Sequence, residues 1–211
     1  MANWAYLCAT DRETIYPSFG DQPYDASKQT IASQTYSIPL LWLALFRESD
    51  LIQRTFTQEG KTLLAIAPRC DLRRAVGQLD AAIPYLEELF YGYGKLDEYA
   101  QLFRSALENL PYQYVTIELE EIACMAKSRV EFEEILRKSL AHMGNEDEFD
   151  PKAQWRLIYL AQLWDAHPRF PPARMFLDGS KPSGRDCVIH GRILGSGRNS
   201  TSQGRTVPWE S

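Results

Sequence analysis

Histidine and cysteine, the residue types that most often serve as nucleophiles, general bases or metal ligands, are few and scattered in this sequence. They are Cys8, Cys70, Cys124, Cys187, His142, His167 and His190. Cys187 and His190 form a lone C-x-x-H pair, whereas a zinc site needs about four ligands. No H-E-x-x-H or G-x-S-x-G motif is present, and Cys8 lies in an apolar strand pattern where a thiol is usually unreactive. The sequence therefore predicts no metal site, no cofactor and no catalytic nucleophile.

Two acidic clusters are the remaining candidates for chemistry or for binding. They are Glu118, Glu120 and Glu121, and then Glu146, Asp147, Glu148 and Asp150. Paired carboxylates can hold a cation or act as acid and base, but the second role needs burial that separates their pKa values. The sequence pattern around both clusters indicates exposed, solvated faces. Their other use is to meet a basic partner surface, and we predict these carboxylates as partner-binding residues.

The charge of the chain is unevenly distributed. The formal net charge is -5 over 211 residues, but residues 166–211 carry seven Lys or Arg against three Asp or Glu, which makes this segment +4 and residues 1–165 -9. An acidic body repels nucleic acid phosphates and attracts basic partners through long-range steering. The charge pattern therefore disfavours nucleic acid binding and favours a basic protein partner.

Targeting signals and cysteine spacing bear on the compartment. The first 30 residues lack the basic region and the apolar run of a secretory signal. The apolar run at 40–46 is far shorter than the roughly 20 residues of a membrane span. The cysteines are widely spaced, as in proteins whose thiols stay reduced. We therefore expect a cytoplasmic protein that does not contact a membrane.

Hydrophobic periodicity predicts the elements that would position these residues. Strands are predicted at 3–10, 62–67 and 112–121. The last of them alternates apolar with polar side chains, which indicates a half-exposed strand with Glu118 and Glu120 on an acidic outer face. Residues 11–36 hold many Pro, Gly, hydroxyl and amide residues and predict a long ordered loop.

Helices are predicted where apolar residues recur every three to four positions. A helix buried nearly all round begins at Ser37 in SIPLLWLALFRESDLIQRTF. A second helix, capped by Asp71, is expected to kink or break near Ala81 because Pro84 lacks a backbone N–H. Three more are predicted, after Gly94, after the capping Ser128, and after Asp150-Pro151. The last of these is expected to bury Trp155.

Regular patterns fail in the C-terminal part of the chain. Residues 166–211 are rich in Pro and Gly and predict a mostly irregular tail, with DCVIHGRIL at 186–194 as one strand-like island. We therefore predict an α+β protein in which a small sheet of three or more strands packs against four to six helices. The acidic α+β domain would span 1–165 and the basic tail 166–211.

Several stretches resemble a bacterial family of unknown function. They are MANWAYLCATD, YSIPLLWLALF and LLAIAPRCDLRRAVGQLDAAIPYLEEL. The matching positions are Met1, Ala2, Asn3, Tyr6, Leu7, Tyr36, Ile38, Pro39 and Leu40. The likeness covers residues 1–165, and Trp4 stands where the family usually has arginine. The resemblance carries over no catalytic residue. It implies a small cytosolic bacterial protein, similar in size and charge to the immunity proteins that neutralise interbacterial toxins.

Two classes of function remain open. The first is a non-catalytic binding protein, most concretely an immunity protein that occludes a cognate toxin or effector. The second is a cytosolic enzyme whose site is assembled from scattered polar residues at strand ends, such as Asp11, Arg12, Arg69 and Asp71.

Overall fold

The computed structural model describes residues 3–12, 28–58, 61–144, 150–164, 169–178 and 180–196. Within these residues the chain forms five strands, seven α-helices and two short 3-10 helices. The predicted α+β class is therefore confirmed, with one helix more than expected.

The strands form one antiparallel sheet in the order β2-β1-β5-β4-β3. Their bounds are β1 (Trp4–Thr10), β2 (Lys28–Thr35), β3 (Leu51–Gln58), β4 (Lys61–Asp71) and β5 (Tyr114–Glu118). The three predicted strands correspond to β1, β4 and β5. β2 lies within the expected loop, and β3 lies where the helix from Ser37 was expected to continue. Both are edge strands of the sheet, and pairing with a neighbour stabilises them where alternation in their own sequence is weak.

Seven helices surround the sheet. Their bounds are α1 (Leu40–Ala44), α2 (Leu72–Leu89), α3 (Asp97–Glu108), α4 (Glu120–Ala123), α5 (Arg129–Ala141), α6 (Ala153–Ala161) and α7 (Gly184–Leu194). The 3-10 helices are Glu48–Asp50 and Ala173–Phe176. Two of the predicted caps are present: the Asp71 carboxylate accepts from the backbone N–H of Arg74, and the Ser128 hydroxyl accepts from that of Glu131. The caps predicted at Ser37 and Asp150 are wrong, because the N-cap residues of α1 and α6 are Pro39 and Lys152.

The core lies around α1. This helix has only five residues and all of them are fully buried, which confirms the prediction of a buried helix although it begins at Leu40 rather than at Ser37. Alternate residues of β1, Ala5, Leu7 and Ala9, belong to the same core. At the centre of α1, the indole N–H of Trp42 donates to the carbonyl of Leu194, 2.7 Å away. This hydrogen bond joins α1 to the last residue of α7.

Two local predictions are wrong. The expected strand at 186–194 is part of α7, because Ile189 and Ile193 recur at helical spacing and are buried. Ser183 and Asp186 form a capping box at the start of that helix. The break expected near Ala81 is also absent, because the helix containing Pro84 runs on to Leu89; a kink, the other outcome expected there, stays a prediction.

Candidate functional site

The expected outer face of β5 is not exposed. Glu118 and Glu120 are each only 6% accessible to solvent, so the prediction of exposure is wrong for both side chains. β5 ends at Glu118 and is the central strand of the sheet, flanked by β1 and β4. Glu120 lies beyond the strand, in α4, and is buried there. Glu118 forms an ion pair with Lys28 of β2, and both side chains are at most 10% exposed.

A polar cluster occupies one face of the central strands. Cross-strand partners share a face of a sheet, and the register pairs Tyr6 with Glu118 and Cys8 with both Thr116 and Thr30. The Cys8 Sγ atom lies 3.9 Å from the Thr30 hydroxyl. Burial raises the pKa of the Cys8 thiol, so Cys8 is a neutral, closed-off side chain rather than a reactive one.

The carboxyl groups of this cluster have shifted pKa values. Burial raises the pKa of Glu118, while Lys28 opposes that shift. Burial, with the nearby charge of Glu118, raises the pKa of Glu120 to about 7. These carboxyls meet the burial condition for acid and base chemistry. Their low exposure does not favour their role in partner binding, which stays a prediction.

The remaining predicted carboxylates divide into three cases. Glu121 accepts a hydrogen bond from the backbone N–H of Trp4 at 2.9 Å. Asp150 pairs with the buried Arg156 and lies 3.5 Å from His142, so it connects α6 with the end of α5, and the hydrogen bond from Arg156 lowers its pKa. Three others lie outside the described residues: Glu146, Asp147 and Glu148.

Three of the four residues named for the enzyme hypothesis do gather near the start of β5. Asp11 accepts from the backbone N–H of Gln113 at 2.9 Å, and the Arg69 guanidinium lies 4.5 Å from the centre of the Tyr114 ring. Asp71 caps α2 and lines an open cleft of about 630 Å³. Each of these groups therefore has a structural partner, and the cleft is the feature that keeps the hypothesis open.

An exposed aromatic surface, which the sequence did not predict, lies on α6 and the residues just after it. Trp155 and Tyr159 of α6 are stacked with ring centroids 5.6 Å apart. The Trp164 ring lies 6.4 Å from Trp155 and 5.9 Å from Tyr159, edge-on to both. Trp155 and Trp164 are 48% and 49% exposed, so the predicted burial of Trp155 is wrong. We call these three residues the aromatic patch.

Local geometry of α6 explains why the aromatic patch faces outward. The buried residues Ala153, Leu157, Leu160 and Ala161 follow an i, i+4, i+7, i+8 stripe. Trp155 falls outside that stripe, which is the signal that could have revealed its exposure. Gln162 ends the helix in the left-handed conformation at φ 56°. Its side-chain oxygen accepts from the Trp164 indole N–H at 2.9 Å, which holds that ring against the other two.

Comparison with models of known protein families, with curated proteins and with solved structures finds nothing that matches this chain. The resemblance to a bacterial family of unknown function therefore stays a prediction. In the described part of the chain, no helix combines the length and apolar character needed to cross a bilayer. The same residues include no group of three or more His, Cys, Asp or Glu side chains placed to hold a metal ion.

Proposed function

We propose that this protein is a non-catalytic binding protein that neutralises a basic bacterial toxin by occluding it. The observation that carries the proposal is the aromatic patch, formed by Trp155, Tyr159 and Trp164. Tryptophan and tyrosine are enriched at protein interfaces and dominate their binding energy. Two half-exposed indoles and a tyrosine ring in mutual contact are a ready anchor for a partner.

The charge of the chain supports a basic partner. Residues 1–165, which contain the aromatic patch, have a net charge of -9. Acidic surfaces speed the approach of basic proteins. Arginine and lysine side chains also bind to the faces of tryptophan and tyrosine rings, and the Trp164 N–H is already occupied by Gln162. A partner that presents Arg or Lys beside apolar side chains fits this surface.

The proposed contact surface is the aromatic patch rather than the region of Glu118 and Glu120. Glu118 and Glu120 are buried and would contribute to binding only by supporting the sheet. The exposed anchor lies on α6, which follows the acidic cluster at 146–150 in the sequence. Docking on α6 would let the toxin be covered without any change in the sheet.

The alternative is a cytosolic enzyme with its site at the strand ends. The cleft beside Asp71 supports that hypothesis because a concave site is where a small substrate would bind. Arg73 lines this cleft. Binding of small polar metabolites to the cleft, measured by ligand-detected NMR and abolished by Arg73→Ala, would favour the enzyme hypothesis over the binding function.

The test is to co-express this protein with the product of the adjacent gene and to measure the dissociation constant of the complex. Trp155→Ala and Trp164→Ala should each weaken binding at least about tenfold, as expected for interface anchors. Tyr91→Ala is the matched control, since Tyr91 is an aromatic residue with 89% exposure that is not part of the aromatic patch, and it should leave binding unchanged.

Each failure has a separate meaning. Absence of any complex with the neighbouring product would overturn the toxin-neutralising function. A complex that tolerates both tryptophan substitutions, in variants with unchanged melting temperature, would show that the aromatic patch is not the contact surface.

A further inference from the structure

The C-terminal part of the described chain packs against α1 and α3. We call residues 169–178 and 180–196 the C-terminal clasp. Its first part is attached near the end of α2 and to α3, where the Phe170 N–H donates to the Tyr93 carbonyl at 2.6 Å. The Tyr99 hydroxyl donates to the Pro171 carbonyl, also at 2.6 Å. These two hydrogen bonds join this part to α3 and to the residues that follow α2.

The second part of the clasp is α7, which packs against α1 and α3. It is followed by a single antiparallel bridge to the edge strand β2, in which Ser33 and Ser196 exchange two backbone hydrogen bonds of 3.1 and 2.9 Å. The bond from Trp42 to Leu194 lies at the same end. α7 thus covers the core without being part of the sheet.

His190 lies at the centre of these contacts. Its ring is stacked on Phe176 at a centroid distance of 3.8 Å, and it lies 5.6 Å from the Tyr99 ring of α3. His190 is only 5% exposed, and neither of its ring nitrogens has a hydrogen-bond partner. A buried, unpaired imidazole of this kind is tolerated only while it is neutral.

Among the described residues, no charged group forms a hydrogen bond with His190. Burial is the one cause that shifts its pKa, which is lowered to about 4. The surrounding elements carry the following charged or titratable groups: Asp97, Glu98, Tyr99, Arg104 and Glu108 on α3, Arg174 on the 3-10 helix, and Arg185, Asp186, Cys187 and Arg192 on α7, with none on α1. Asp186 is engaged in the capping box with Ser183. Protonation would therefore leave an unpaired cation between aromatic rings.

We propose that the C-terminal clasp is an acid-released element, whose docking on α1 and α3 is controlled by protonation of His190. In the undocked state the imidazole meets water and takes up a proton in the ordinary range. In the docked state the buried imidazole binds a proton only weakly. Acid therefore favours release of the C-terminal clasp, because proton binding is linked to undocking. Between pH 6.5 and pH 4 the docking equilibrium weakens about tenfold for each pH unit. The sheet has no such group at its contacts with the clasp and stays folded.

Hydrogen exchange at pH 7.5 and 4.5, corrected for the intrinsic pH dependence of exchange, tests the proposal on the full chain. The opening constant of α7 amides should rise about 50- to 100-fold on acidification, while that of β1 and β5 amides stays constant. His190→Phe keeps an aromatic ring without the titrating group, and its α7 amides should show no such rise. His142→Gln is the control, because it removes another partly buried histidine and should retain the response.

Three outcomes would overturn the proposal. They are an α7 opening constant that ignores pH in the wild type, an equal response in His190→Phe, and joint opening of α7 and the sheet in one step. If His190→Phe does not fold, His190→Leu supplies the same comparison.

Discussion

At the scale of single residues, burial rather than residue type decides what a carboxylate does in this protein. Glu118 and Glu134 each pair with a lysine, Lys28 and Lys138. The first pair has side chains 10% and 8% exposed, and the second 55% and 61%. A buried charge left without its partner is costly, whereas an exposed one is solvated. The two pairs should therefore differ greatly in their effect on stability.

Glu118→Gln should lower the free energy of unfolding by about 3–5 kcal/mol, because it removes an ion pair with Lys28 in which both side chains are at most 10% exposed. Glu134→Gln, the matched exposed change, should leave the free energy of unfolding almost unchanged. Urea denaturation of both variants at pH 7 measures the difference. Equal, small losses would show that Lys28 reaches water or another acceptor in the absence of Glu118.

At the scale of elements, α1 and the end of α7 are in close contact through Trp42. Gly195 follows α7 with φ +88°, a conformation that side chains rarely adopt. A Cβ atom there would overlap Cζ2 of Trp42 and lie 3.0 Å from Cε2. The indole cannot move aside easily, because it is fully buried and donates to Leu194. Glycine is therefore needed for α7 to cover α1.

Gly195→Ala should destabilise the protein by about 2–4 kcal/mol through backbone strain and displacement of Trp42. Gly77→Ala is the control: Gly77 lies in α2 with nothing within 4 Å of its added Cβ, and alanine there should stabilise by about 0.5–1 kcal/mol. Thermal and urea unfolding of both variants would decide. A neutral Gly195→Ala would contradict the close packing of Trp42.

At the scale of the whole molecule, the basic C-terminal part and the acidic body are joined by a buried interface. The predicted boundary at residue 165 separates the charges, -9 from +4. α7 lies beyond that boundary, yet Ile189, Ile193 and Leu194 are fully or almost fully buried. Whether residues 1–165 form a domain of their own stays a prediction. The buried interface shows that such a domain would have a newly uncovered apolar face.

A chain ending at residue 165 should still unfold cooperatively but with a free energy of unfolding lower by about 2–4 kcal/mol, since it loses the burial of several aliphatic side chains. It should also bind a hydrophobic dye that the full chain does not bind, because Trp42 and Tyr99 lose their cover. Unfolding and dye fluorescence, compared with the full chain, measure both effects. Unchanged stability without dye binding would contradict a structural role for α7.

Features that depend on local pattern could be predicted from the sequence. The apolar run that forms α1 predicts a helix without a solvent face, and the caps at Asp71 and Ser128 place the starts of α2 and α5. β1 follows from alternation and aromatic content. These features depend on backbone hydrogen bonding and side-chain periodicity within a few residues, which are present in the sequence itself.

Which faces of the strands and helices are buried depends on contacts that form only in the folded protein. β2 and β3 exist because neighbouring strands pair with them, and Glu118 is buried because β5 lies at the centre of the sheet. His190 is buried because α7 docks on α1 and α3, and Trp155 is exposed because other residues of α6 face the core. Burial is a property of contacts between residues far apart in the chain, so the candidate binding surface and the acid-sensitive histidine became visible only with the fold.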